Sequence, residues 1–329
     1  MPAEPSVAAA RPDVEAAERL MGGAEQQARA DGGGELEEMP DIGPYVVSCL
    51  RGRGRAGENP IESPWRVLPD WIHEGRWSPL AYVSLLGLAV VLGVSASQAL
   101  DQEQLAALAA AVEQAGEGGG GSWFAANGPW LLRGAGGLYG LGLTAGMLRK
   151  IGWWPLVSYT VISWLLLTLR LLSASAAHFS TTAGWISEII RYPALLQTTV
   201  VVLVWWGVIV PLILVFKKGK ERQMFWKWNQ SFALVNVHLL NLPVAAADFL
   251  SAPRQISAFD VWVVFALTLL YMVFYLVVLD GRGVFLYFMF TPRTHWCFLV
   301  YLAMVAFIAA LLAAWASLCA MVGGGAPVL

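Results

Sequence analysis

Seven apolar runs, each close to the length a helix needs to cross the hydrocarbon core of a bilayer, constrain this chain more than anything else in it. They are Leu80–Gln98, Trp130–Leu148, Trp153–Leu172, Leu195–Phe216, Asn229–Leu250, Val261–Leu279 and Trp296–Leu318. Only 13% of the residues are charged and 57% are hydrophobic, whereas a soluble domain carries about 25% charged residues. Several of the 16 Trp (Trp77, Trp123, Trp153, Trp228, Trp296) stand where an apolar run meets a polar flank, as an interfacial belt requires. The expectation is an all-α polytopic integral membrane helical bundle of six to seven transmembrane helices. The count is six if Trp130–Leu148, glycine-rich and carrying Arg133, re-enters rather than crosses. In that run Gly136, Gly140 and Gly142 allow close helix packing.

Ahead of the bundle, residues 1–70 contain no long apolar run and are rich in Ala, Gly, Pro and acid. Such a segment buries too little apolar surface to offset its ordering entropy, which predicts a disordered cytosolic tail over 1–70, with one short helix near Val14–Arg29. Residues 71–329 form the multi-pass domain. No basic and apolar leader opens the chain, so the first run is expected to act as an uncleaved anchor. Between the first two runs, DQEQLAALAAAVEQA reads as a helix in an aqueous loop ending in a glycine linker. Between the third and fourth, a polar loop holds His178, Thr181, Thr182, Glu188 and Arg191. Cationic clusters at Arg51–Arg76, at Arg149 and Lys150 and at Lys217–Lys227 all fall on one side of a seven-span topology, which places the N-terminus in the cytosol.

The strongest local signal is NQSFALVNVHLLNLPVAAADFL, which sets Asn236, His238, Asn241 and Asp248 inside an apolar run. Ionisable side chains at membrane depth are costly and are read first as functional. Asn241 lies one turn from His238 on the same side, and Asp248 about 80° further round the helix. Pro243 removes a backbone donor between them, which bends the helix and frees a carbonyl near the polar face. Thr160, in YTVIS, and His238 each stand roughly 10–13 Å inside the same boundary at 1.5 Å rise per residue. A hydroxyl and an imidazole at one depth are a candidate nucleophile and base: His238 takes the Thr160 proton as Oγ attacks an ester carbonyl, then returns it to the leaving alcohol. Asp248 or Asn241 is the candidate to orient the second ring nitrogen.

Structural roles stand beside these. Thr160 would equally bond the Leu156 carbonyl, His238 a neighbouring helix, and Ser158 and Ser163 are equally placed hydroxyls. The loop histidines His73, His178 and His295 and the cysteines Cys49, Cys297 and Cys319 lack metal spacing, so neither metal nor cofactor is expected. A net charge of −2 gives no argument for nucleic acid. No nucleophile elbow, zinc-protease, phosphate-loop or dinucleotide motif lies on the element it needs.

In the order His238, Leu242, Pro243, Asp248, in Thr160 of YTVIS, and in Gly283, Phe285 and Tyr287 of GVFLYF, the chain resembles a family of transmembrane threonine hydrolases. This is the family of the androgen-induced protein and the androgen-dependent TFPI-regulating protein, and the resemblance covers about Trp153–Leu318. Leu239 and Leu240 replace the hydroxyl residues that commonly follow the family's histidine, and Phe288 replaces a frequent proline. The resemblance implies hydrolysis of lipid esters, fatty acid esters of hydroxy fatty acids being the family's substrate class, with Thr160 as nucleophile and His238 as base. The partners expected are membrane lipids or a lipid-ester substrate, in the endoplasmic reticulum, another endomembrane or the plasma membrane. Two other classes stay open: a non-catalytic protein resembling the rolling-stone multispanning family, and a small-solute transporter, to which a Pro-interrupted span with an interior carboxylate points.

Overall fold

A computed structural model describes residues 76–116, 123–282, 284 and 286–323. The expected tail over 1–70, Cys49, the glycine linker, Gly283 and Phe285 lie outside the described residues. Among the described residues the chain is helical and has no strand. We number the helices α1 (Pro79–Ala99), α2 (Gln102–Gly116), α3 (Trp123–Ile151), α4 (Tyr159–Ala176), α5 (Thr181–Phe216), α6 (Gly219–Asn229), α7 (Phe232–Ser251), α8 (Ala258–Arg282) and α9 (Cys297–Gly323). Six of them (α1, α4, α5, α7, α8, α9) are long and apolar enough to cross a membrane, which makes this a polytopic all-α membrane bundle. Their outward faces carry exposed Val83, Leu86, Val94, Leu270 and Leu302, apolar surface that a bilayer covers and water would not tolerate.

Helix α3 is the glycine-rich run. It is continuous over 29 residues, about 44 Å, and so matches a span in length while falling short in hydropathy. Glycines let it lie against α4. A Cβ at Gly140 would stand 2.3 Å from Thr168 Oγ1, and one at Gly137 would stand 2.5 Å from Leu172 Cγ. Trp164 Nε1 donates to the Gly140 carbonyl at 3.3 Å across the same contact. Gly142, expected in this seam, instead faces open space. Gly140→Ala should therefore destabilise by about 1–3 kcal/mol through overpacking, because Thr168 is held by its own bond to the Trp164 carbonyl at 2.9 Å. Gly142→Ala should be neutral or stabilising. Thermal unfolding in detergent separates the two.

The polar loop expected between the third and fourth runs is shorter than its composition suggested. Helix α5 already begins at Thr181, capped by Ser180 Oγ, which accepts from Ala183 N at 3.3 Å, so Glu188 and Arg191 are helical and buried. Their charges are met by other helices, which a hydropathy profile does not register. Helix α2 is amphipathic. It lays Leu108 against Phe259 and Val263, and Val112 against Gly184, so it covers the bundle rather than standing free in the loop.

The ends of the helices sort into two sets. Ser78 N bonds the Pro292 carbonyl at 2.8 Å and Trp77 Nε1 bonds Asp280 Oδ2 at 3.1 Å, which ties the start of α1 to the segment after α8. In the same segment Tyr287 accepts from Tyr159 N at the start of α4 (3.0 Å), and Met289 packs against the cluster of Ile209, Val210, Ile213 and Phe225, where the end of α5 meets α6. The Lys217–Lys227 run therefore shares one end of the bundle with Arg149 and Lys150. A run this cationic is expected to face the cytosol. A glycosylation acceptor inserted beside Gly219 should stay unmodified in cells, and its modification would overturn that orientation.

Candidate functional site

The geometry around His238 starts from two prolines. In α7 the five residues Asn236–Leu240 form a π-helical segment: Asn241 N bonds the Asn236 carbonyl, five residues back. That leaves the Val237 carbonyl without its usual donor, and Asn241 Nδ2 takes the place at 2.7 Å. Pro243, five residues after His238, has no N–H to give its carbonyl. Trp206 Nε1 supplies one at 2.8 Å. Trp206 belongs to a matching π-segment in α5, Trp205–Ile209, which precedes Pro211. The two widened turns meet, and the Trp205 ring stacks on the His238 imidazole with centroids 3.9 Å apart at 27°. Segments of this kind are frequent at functional sites.

His238 is 6% exposed. Its Nδ1 lies 3.3 Å from the Leu234 carbonyl, an acceptor, so Nδ1 carries the proton and Nε2 the lone pair. Nε2 has no hydrogen-bond partner among the described residues. A neutral imidazole with one nitrogen fixed by backbone and the other open is the form a general base takes. The amides nearby are locally satisfied. Asn236 accepts from Tyr139 at 2.7 Å and donates to the Phe232 carbonyl, while Asn241 Oδ1 accepts from Leu242 N at 2.8 Å.

Thr160 stands elsewhere than its apolar run suggested. The chain turns at Gly152 (φ 77°), passes through a 3-10 turn at Trp154–Val157 and enters α4 only at Tyr159, with Ser158 as its cap. Thr160 is thus in the first turn of α4, whereas His238 is about 9 Å along the axis from the start of α7. Pro155 and Ser158 delay the helix, so a residue count from Trp153 does not measure the position of Thr160 along it. The neighbouring Tyr159 N donates to the Tyr287 hydroxyl at 3.0 Å at the start of the helix. The two helices nevertheless touch. Val161 and Val237, the chain neighbours of Thr160 and His238, pack in one cluster with Met147 and Trp164. No hydrogen bond joins Thr160 to His238 among the described residues. Ser158 is occupied as the cap, and Ser163 is fully buried with its hydroxyl on the Tyr159 carbonyl.

Asp248 is engaged away from His238. Its Oδ1 accepts from Arg133 Nε at 2.6 Å and its Oδ2 from Arg170 Nε at 2.9 Å, so it orients arginines and not the imidazole. It belongs to a buried network at the end of the bundle opposite the Lys217–Lys227 run. Arg170 also meets Glu188 (3.2 Å) and Ser187, Arg191 and Arg254 meet the other Glu188 oxygen at 3.2 and 3.3 Å, and Arg254 forks onto Asp260 at 2.8 and 3.0 Å. Arg191 further reaches the Ala252 carbonyl. The sequence held a signal for this: Arg170 sits inside WLLLTLRLL, an ionisable residue in an apolar run of the same kind as His238. Trp205 and Trp206 carried no such signal. No cluster of three His, Cys, Asp or Glu side chains able to hold a metal occurs among the described residues. Neither a protein-family model, nor a curated protein, nor a solved structure matches this chain.

Proposed function

We propose that this protein is an intramembrane hydrolase of lipid esters, with His238 as general base and Thr160 as nucleophile. The observation that carries the reading is the His238 imidazole, buried at a π-segment, its Nδ1 on the Leu234 carbonyl and its Nε2 open. The order of residues shared with the threonine hydrolases adds Thr160 and the substrate class, esters of long-chain acids that enter sideways from the bilayer. The cluster of Met147, Val161, Trp164 and Val237 brings the two helices together next to both residues. Attack needs the Thr160 hydroxyl to turn towards His238 Nε2. A cellular place in the endoplasmic reticulum, another endomembrane or the plasma membrane fits that substrate.

A second reading has its own observation. Thr160 lies in the first turn of α4, between the Ser158 cap and a backbone N–H held by Tyr287, as a residue that only secures a helix end would be. On that reading the protein is a non-catalytic multispanning protein of rolling-stone type. Labelling of the detergent-solubilised protein with a fluorophosphonate probe decides between them. An adduct on Thr160, lost in His238→Ala, supports hydrolysis, and the absence of any adduct at pH values of about 7 to 9, above the ordinary imidazole pKa of about 6.5, favours the second.

A further inference from the structure

The ion network at the far end of the bundle is unbalanced. Among the described residues, four guanidiniums (Arg133, Arg170, Arg191, Arg254) meet three carboxylates (Glu188, Asp248, Asp260). The chain of contacts runs Asp260, Arg254, Glu188, Arg170, Asp248, Arg133, with Arg191 added at Glu188. Two of the four, Arg191 and Arg133, have a single carboxylate that they share; Arg191 is 6% exposed and also reaches the Ala252 carbonyl, so Arg133 is the one of the two open to a further partner. Its Nη2 meets a neutral hydroxyl, Ser251 Oγ at 2.9 Å, and its Nη1 has no acceptor among the described residues. Arg170, Glu188 and Asp248 are 2–6% exposed, but Arg133 is 19% exposed and opens on the outside of the bundle. An uncompensated guanidinium at membrane depth is costly, and a partner that supplies one negative charge removes that cost.

The surroundings specify where that partner comes from. One turn along α3, Trp130 stacks on His178 with centroids 5.8 Å apart at 5°, and Phe179, 75% exposed, meets Trp130 edge-on. Aromatic rings gathered at the ends of spanning helices mark the level where headgroups begin. Beside Arg133, Leu131 and Leu132 on α3 and Leu250 on α7 are exposed apolar side chains. We propose that Arg133 binds the phosphodiester of a phospholipid in the leaflet opposite the Lys217–Lys227 run, with the acyl chains lying along α3 and α7. A phosphodiester brings the single missing charge, and its two unesterified oxygens suit the N–H groups of a guanidinium. This site is separate from His238 and does not depend on hydrolysis.

The test uses the full chain in a neutral maltoside detergent, with thermal unfolding followed on addition of phosphatidylglycerol, of diacylglycerol with the same acyl chains, or of inorganic phosphate. Phosphatidylglycerol should raise the unfolding temperature by several degrees, and the other two by little. Ser251→Asp sets a carboxylate where Arg133 Nη2 now meets a hydroxyl. It should raise the lipid-free unfolding temperature and cancel most of the phosphatidylglycerol increment, as Arg133→Gln also should. The proposal is overturned by no increment in the wild type, by an equal increment from diacylglycerol, by inorganic phosphate giving the whole increment, or by a full increment persisting in Ser251→Asp. Because Ser251→Asp adds a pairing instead of removing one, it keeps the test decisive should Arg133→Gln fail to fold.

Discussion

Glu188→Gln is expected to destabilise the bundle by about 3–5 kcal/mol, the range found when one partner of a buried ion pair is removed. Glu188 is 2% exposed and its two oxygens face Arg170, Arg191 and Arg254 at 3.2–3.3 Å. Gln keeps the volume and one accepting oxygen, but it points an amide donor at guanidiniums and leaves four of them to two carboxylates. A control lies at the other end of the molecule. Glu221 is 64% exposed and pairs with Lys217 at 3.0 Å, and Glu221→Gln should cost only about 0–1 kcal/mol, as water already screens that pair. Thermal unfolding of the two variants in detergent measures the contrast, and equal unfolding temperatures would show that the buried network contributes no stability. Asp248→Asn should behave like Glu188→Gln. It frees Arg133 and Arg170, and so acts on folding rather than on the orientation of His238.

The second large effect is expected in activity. If Thr160 and His238 work as one unit, Thr160→Val and His238→Ala should each lower lipid-ester hydrolysis by about 10²–10⁴-fold, and the double variant should be scarcely worse than either. Thr160→Ser keeps the hydroxyl and should retain part of the rate. Hydrolysis should also fall on acidification, since an imidazolium has no lone pair to accept the Thr160 proton. Tyr287→Phe is the control for a purely structural threonine. It removes the hydroxyl that holds Tyr159 N at the start of α4 while leaving the nucleophile in place. Turnover lost in Thr160→Val but kept in Tyr287→Phe supports nucleophilic attack. If both variants merely unfold earlier and hydrolyse as fast as the wild type while folded, Thr160 secures only the start of α4.

The helices and their order could be read along the chain because an apolar run of spanning length needs no distant partner to become a helix in a bilayer. The cationic segments at Arg149, Lys150 and Lys217–Lys227 likewise identified one end of the bundle locally. Pro243 announced a freed carbonyl near His238, since a missing N–H is a property of one residue. What satisfies that carbonyl was not local: the Trp206 indole arrives from another helix, 32 positions away, and Trp205 brings the ring that covers the imidazole. Ser158 and Pro155 did stand in the sequence as a helix start, yet the apolar run from Trp153 concealed them, and Thr160 lies in the first turn of α4 instead of seven residues into a helix.

The ion network was the least legible part, for a physical reason. Hydropathy sums each segment's cost of leaving water, so Glu188 and Arg191 read as a loop and Arg133 as a weakness in its span. Tertiary structure reverses that cost by pairing Arg133 with Asp248 across 115 positions and Arg170 with the same carboxylate across 78. The sequence by itself determined which segments enter the membrane and which histidine stands exceptional within them. Only the packed bundle decided which charges cancel, which carbonyl each donor reaches and which guanidinium is left over, because those energies belong to pairs of residues brought together by folding.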